Sequence, residues 1–391
     1  MENIDTSLNK ALDWVRTQNF KGFDPYDGTN SVLLDSLLPP YGRGKYYAQQ
    51  IFKRLPINLR HFFQIYKTYN PKALGLLLSV YSKLYVIDPK EEYILFCEKI
   101  IKILINIRSS FQNLSWGYSF DWIGKDFYLK KYKPSIVVTS TVVRGLYDFF
   151  NVTNNQQIIT MIESSTRFIT EDLPRLEKDD EICFSYTPYF ENRVHNANLL
   201  GAESLLRHYS ITGSEKSKSL ATKAFNYTIR RQQQDGSWKY SEDLGKKERI
   251  QTDWHQGFIL DSIGEYLNLV EEREGYLTAL HKGANFYYRV QFKSNGTGFW
   301  RYPQYWPIDI HNQSQGIITF AKVSVFDNKY LDFSKTIADW TSVNMQSQEG
   351  FFFHQKWPIV TNKIPYLRWS QAWMLYALVT LKEKQTNETI S

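Results

Sequence analysis

Long apolar runs recur along the chain, and each opens on a polar residue followed by a small one. Thr139-Ser140 opens VVTSTVVRGLYDF, Asn196-Ala197 opens VHNANLLGAESLL, and Gln256-Gly257 opens DWHQGFILDSIGEYL. Gln315-Gly316 in HNQSQGIITFAKV and Gln371-Ala372 in RWSQAWMLYALVTL complete the series, at intervals of 57, 60, 59 and 56 residues. A weaker copy, Lys72-Ala73 in NPKALGLLLSVY, stands 67 residues before Thr139. Self-similarity at a fixed period marks a repeat architecture, here six units of about 58 residues.

Upstream of these runs lie segments with apolar residues at three- and four-residue steps and a charged opposite face: 92–108, 156–171, 217–233, 274–291 and 331–348. That period predicts amphipathic helices on the outside, whereas the runs apolar on all sides predict helices buried on both faces. Aromatic-glycine loops join them: Trp116-Gly117-Tyr118, Gly236-Ser237-Trp238, Gly298-Phe299-Trp300 and Gly350-Phe351-Phe352. Strand-like alternation is scarce, and stretches such as 184–189 read as loop edges. Six inner and six outer helices close most economically into an all-α (α/α)6 toroid, because a closed ring needs no capping repeat. The expected layout is a single domain over 1–391, with N-terminal helices in 1–70 closing the ring, helix 5–17 as the sealing outer partner, and 384–391 a disordered tail.

Composition narrows the class. In 391 residues, 42% hydrophobic and 22% charged content excludes a disordered chain. Lys and Arg number 47 against 40 Asp and Glu, a net charge of +7, which favours an anionic partner. Cys97 and Cys183 are the only cysteines, so a disulfide scaffold and a Cys-rich metal site are excluded. The opening residues have no apolar core of a signal peptide, and the run 74–80 is too short to span a bilayer. A soluble cytoplasmic protein without a transmembrane segment is expected. Aromatics reach 16%, enough to line a large internal surface or to stack on ligand rings.

The run Gln233-Gln234-Asp235-Gly236-Ser237-Trp238 resembles the QW-type motif of squalene cyclases. The whole pattern resembles the α/α-toroid superfamily of six-hairpin glycosidases, toroidal polysaccharide lyases and terpenoid cyclases. With WGYSFDW, NANLL, DGSW and RWSQAW in that order, it is similar to uncharacterised proteins of bacterial surface-polysaccharide clusters. The resemblance implies a sugar context. The Asp-x-Asp-Asp acid motif of class II cyclases is missing, Asp179-Asp180-Glu181 having the wrong order. Neither cysteine has the company that the zinc site of protein prenyltransferases requires.

The least ordinary residues fall at the starts of the inner helices, where free N–H groups favour anionic ligands. These are His195-Asn196, Asp253-Trp254-His255, His311 with Gln315, and Arg368-Trp369; Tyr118, Asp121, Trp122, Tyr186 and Arg193 lie in the preceding loops. The recurring amides are read first as helix caps or inter-helix bonds. Trp238, Trp300 and 351–353 are read as packing, and His61, His208, His281 and His354 as surface or packing residues. Proton abstraction beside a uronate carboxylate needs a neutralising group and an acid–base pair. Asn196 and Arg368 suit the first role, His195 or His255 the base, and Tyr186 the acid, as in the toroidal lyases that this set resembles. Trp254, Trp369, Tyr118, Asp121, Trp122, His311, Gln315 and Arg193 are expected to bind substrate. Hydrolysis would instead use Asp253 with Asp121 or Asp309.

No P-loop, GxSxG or HExxH occurs, and neither a metal nor a cofactor is expected. No basic-aromatic stripe suggests nucleic acid; the basic runs 130–133 and 246–249 are solvated faces or guides for an anionic chain. The expected function is β-elimination or C5 epimerisation of an acidic, uronate-containing glycan. The alternatives are a six-hairpin glycoside hydrolase, a terpenoid cyclase or prenyl-binding toroid, and a non-catalytic glycan-binding protein.

Overall fold

The inner helices start where side chains can hold their free N–H groups. Pro71 supplies the first turn of α4 (Pro71–Ile87), with Asn70 accepting from the Lys72 and Ala73 amides. Ser135 caps α6 (Ile136–Thr153) and Asp309 caps α12 (Ile310–Val323). The other three are α8 (His195–Thr212), α10 (His255–Leu269) and α14 (Trp373–Ile390), the last preceded by a π turn over Leu367–Ala372. The outer layer is α1 (Ile4–Thr17), α5 (Glu91–Asn106), α7 (Gln156–Arg167), α9 (Glu215–Ile229), α11 (Glu274–Val290) and α13 (Lys329–Met345). This computed structural model describes residues 4–39, 42–124, 127–242, 251–270 and 274–390.

Each inner helix packs on the next, from α4 through α6, α8, α10 and α12 to α14, and α14 packs back on α4. The ring of six hairpins therefore closes, and the fold is an α/α toroid. Chain ends meet at the seam. α1 packs on α13 and α14, the Gln346 amide donates to the Ser7 carbonyl at 2.9 Å, and Lys382 pairs with Asp5. α14 runs on to Ile390, and before its end Lys83 of α4 pairs with Glu383 at 2.7 Å.

The repeat has a physical basis. In five of the six hairpins, one polar side chain at or just before the start of the inner helix clamps the backbone of the preceding loop. Thr139 bonds the Trp116 amide, Asn198 that of Phe184, Gln256 that of Trp238, Gln313 that of Gly298 and Gln371 that of Phe352. In Gln256 and Gln371 the same side chain also donates to the carbonyl of the residue it holds. The clamps are spaced 59, 58, 57 and 58 residues apart, more evenly than the expected marks. Asn196 and Gln315 are thus two residues out of register. Trp238 is packing, as expected, its indole donating to the Thr228 carbonyl at 2.9 Å.

Further along the ring the axis is filled by buried charge. Glu203 accepts from Arg144 and Arg207, both at 2.8 Å, and Asp261 accepts from Thr319 and Gln315. Gln315 belongs to this network. α4 and α6 cross closely enough that a Cβ on Gly145 would stand 2.4 Å from the Gly75 carbonyl oxygen.

The N-terminal region does more than close the ring. Between α1 and α4, a 3-10 turn over Asp27–Asn30, α2 (Val32–Leu37) and α3 (Arg43–Arg54) fold over the end of the ring where the inner helices begin. Asn30 donates to the Ser119 carbonyl and Gln49 to that of Asp121, while buried Arg60 holds Asp27 at 2.8 Å. Short strands stiffen the same loops: β1 (Trp122–Ile123) with β2 (Tyr128–Leu129), β3 (Arg175–Lys178) with β4 (Glu181–Phe184), and β5 (Ile308–Asp309), β6 (Gln355–Lys356) and β7 (Thr361–Asn362) in one sheet.

Candidate functional site

A cavity of about 380 Å³ opens where the inner helices begin. Lys72, Val137, Asn196, His255 and His311 come from the first turns of α4, α6, α8, α10 and α12, and Arg368 from the π turn before α14. π turns cluster at functional sites because the extra residue re-aims side chains, here Arg368 and Trp369.

His255 is held from behind. Its Nδ1 and its backbone amide both meet Asp253 Oδ1, at 2.5 and 3.1 Å, while Asp253 Oδ2 accepts from Gln251. Asp253 is buried below the wall, with Arg301 3.7 Å away. His311 Nδ1 lies 3.3 Å from the Trp369 carbonyl and its ring stacks on that indole. A carbonyl only accepts, so Nδ1 carries the proton and Nε2 the lone pair. Burial, reinforced by Lys72 and Arg368, holds His311 well below the usual histidine range, so it is neutral. Both rings line the cavity, and neither Nε2 has a partner among the described residues.

Of the other expected residues, Tyr118, Trp122, Tyr186, Trp254 and Trp369 line the cavity with Asn196 and Arg368. Tyr118 and Tyr186 share a hydrogen bond of 2.7 Å, and burial raises both phenols, so both keep their protons. Asn196 Oδ1 is buried without a partner among the described residues. Arg368 differs from expectation: a buried fork on Asp24, at 2.6 and 2.8 Å, already neutralises it.

His195, expected as a base, does not line the cavity. Its buried Nδ1 faces Thr228 at 3.4 Å, and burial pushes its pKa down to about 4. Arg193 and Gln315 are also absent from the wall. Asp121, outside it too, accepts from Tyr128 and from the Lys131 amide in the loop around β1. Asp309 Oδ1 accepts from the His311 amide and the Trp369 indole, and Oδ2 from Gln355. Burial raises its pKa against those bonds.

Several wall residues were not foreseen. Tyr26, Lys53 and Arg54 come from the N-terminal cap, whose docking no local pattern announces. Lys72 marked the weakest repeat copy and had a legible signal in its place at an inner-helix start. Burial, then Arg368 and Arg144, press its pKa well below the ordinary lysine value, with Asp24 opposing the shift only in part. His354 and Trp300, expected at the surface or in packing, also line the cavity; burial pushes His354 to about 3. Among the described residues no group of three or more His, Cys, Asp or Glu could hold a metal ion. The basic run 246–249 lies outside the described residues.

An α/α toroid with a charged and aromatic cavity at one end is the class of protein that the fold and the site define. The chain matches no family model, and no curated protein is similar to it in sequence. Its fold is similar to cellobiose 2-epimerase from Bacillus thermoamylovorans, with a TM-score of 0.63 and 13% identity over 82% of this chain and 90% of that one. It is also similar to the GH76 α-mannanase of Bacteroides thetaiotaomicron, with a TM-score of 0.63 and 13% identity over 82% and 87%. A protein from Listeria innocua matches over 100% of this chain and 99% of its own, with a TM-score of 0.66 and 12% identity. At these identities the likeness is one of fold.

Proposed function

We propose that this chain is a carbohydrate-active enzyme that removes and returns a proton at a sugar carbon next to a carbonyl or carboxyl group. The observation that carries the reading is the pair of cavity histidines, His255 and His311, each tied through Nδ1 and each offering Nε2. An imidazole held through Nδ1 with a free Nε2 can take a proton at that nitrogen and give one back. One histidine takes the proton and the other returns one to the planar intermediate from its own side, which inverts the carbon.

The negative charge that develops needs donors. Asn196 presents an amide, and Lys53, Arg54, Lys72 and Arg301 supply cationic or N–H groups. Asp24 is spent on Arg368 and Asp253 on His255. The surplus of basic groups supports an acidic substrate such as a uronate, and a cavity of this size suits a small ligand or a chain end. Tyr186, its proton retained, can serve a leaving oxygen if the intermediate eliminates instead.

Hydrolysis fits less well, because the two carboxylates available for it hold other groups: Asp253 holds His255, and Asp309 holds His311, Trp369 and Gln355. Carbocation cyclisation requires a dry apolar cavity, which this charged lining opposes. The similar folds agree with either sugar chemistry, since one neighbour is an epimerase and another a mannanase.

The test is incubation with reducing sugars and uronate oligosaccharides in deuterated water, followed by proton NMR. Deuterium entering at one carbon, and lost from the His255→Ala and His311→Ala variants, is the expected result. An unsaturated product absorbing in the ultraviolet would assign elimination. New reducing ends without deuterium, or no change across the panel, would refute proton transfer.

A further inference from the structure

From Ser36 to Asn70 the chain has no Asp or Glu, yet it has Arg43, Lys45, Lys53, Arg54, Arg60 and Lys67. Lys45 and Arg60 are turned inward onto Asp35 and Asp27. Arg43, Arg54 and Lys67 are exposed, and none has a carboxylate partner among the described residues. On α3, Arg43, Tyr47, Ile51 and Arg54 follow one another at helical spacing, so they form one stripe with apolar residues between basic ends. Tyr47 and Ile51 are each 59% exposed, and Phe62, in the connection that follows, is 71% exposed. The opposite face of α3 buries Lys45, Gln49 and Phe52.

A second, distant segment joins this surface. The turn between β6 and β7 lifts Ile359 to 95% exposure beside half-exposed Val360 and Trp357. It is tied to the end of α3 by a hydrogen bond from the Asn362 amide to the Leu55 carbonyl, at 3.3 Å. Trp357, Lys53 and Arg54 also belong to the cavity wall, so the surface runs up to the rim.

We propose that α3, the connection after it and the β6–β7 turn form a docking surface for an anionic lipid bilayer. Exposed aromatic and aliphatic tips sink into the headgroup boundary, while arginine and lysine reach the lipid phosphates around them. A second copy of the chain fits poorly, because a two-fold contact would set this all-basic surface against itself. Among the described residues no helix is long and apolar enough to cross a membrane, so the association is peripheral. Docking turns the cavity rim toward the lipid. The inference rests on the surface alone and does not need the sugar chemistry proposed above.

The experiment is flotation of the full chain with vesicles of phosphatidylcholine, with and without phosphatidylglycerol. The protein is expected to float with the anionic vesicles only and to be released by high salt. Ile51→Asp combined with Ile359→Asp should abolish flotation with the melting temperature unchanged. Arg43→Ser with Lys67→Ser should weaken partition by about thirtyfold. No flotation of the wild type with anionic vesicles overturns the proposal whatever the variants do. So does undiminished flotation of the doubly charged variant, or a concentration-dependent dimer that the same substitutions dissolve.

Discussion

Replacing His195 with phenylalanine distinguishes a structural histidine from a catalytic one by its pH dependence. The imidazole is 1% exposed and rests between Thr228, 3.4 Å away, and the Tyr227 ring. Burial pushes its pKa down to about 4, with Glu242 opposing the shift and Arg231 adding to it. In the unfolded chain a histidine titrates near about 6.5. Below that pH the unfolded state takes up a proton that the folded state refuses. The stability is therefore intact above about pH 6.5 and lost as pH falls toward 4, at roughly 1.4 kcal/mol per unit.

At pH 5, about 1.5 units below the unfolded value, the loss amounts to about 2 kcal/mol. Phenylalanine takes no proton, so relative to wild type the variant should gain about 2 kcal/mol between pH 7 and pH 5. A constant offset of about 1 kcal/mol for the lost Thr228 contact is superimposed. Asp27, Asp261 and Asp309, all raised by burial, titrate in both proteins and cancel in the difference. Urea denaturation of both proteins at pH 7, 6 and 5 measures it. A wild-type-to-variant difference that stays flat across this range refutes the reasoning. Loss of turnover in a well-folded His195→Phe protein would return His195 to the catalytic set.

Three further outcomes follow from the geometry. Gly145→Ala forces α4 and α6 apart, because its Cβ would meet the Gly75 carbonyl oxygen at 2.4 Å; a destabilisation of about 1–3 kcal/mol should appear in thermal melts, and an unchanged melt contradicts the close crossing. Glu203→Ala strands buried Arg144 and leaves Arg207 with Glu265 alone, and should cost about 3–5 kcal/mol in urea denaturation; a midpoint equal to wild type would mean that the network adds nothing. Asp253→Asn removes the charge behind His255 and should lower turnover by about 10²- to 10⁴-fold at unchanged melting temperature, whereas full activity removes the Asp253–His255 pair from the mechanism.

The ring itself was legible in the sequence. Helix pairing depends on a local apolar period, and the outer helices expected at 92–108, 156–171, 217–233, 274–291 and 331–348 begin within two residues of α5, α7, α9, α11 and α13. The segment 5–17 seals the ring as α1. The N-terminal cap was not legible in this way. Its contacts with the loops before α6 join residues far apart in sequence, as between Asn30 and Ser119, and no short-range pattern encodes them.

Where the candidate residues would cluster was also written in the chain, because a closed ring of repeats brings every inner-helix start to one end. Which of those residues face the cavity was decided only by tertiary packing. On a helix each residue turns by about 100°, so two neighbours at the same start point in different directions. Asn196 lines the cavity, while Asn198, two residues on, clamps Phe184, and His195, one residue back, faces Thr228 in the wall of the ring. His311 reaches the cavity, while Gln313 holds a loop and Gln315 joins the buried charges of the axis. The linear order of residues carries the period of the repeat; the rotation of each helix about its own axis is set by the neighbours it packs against.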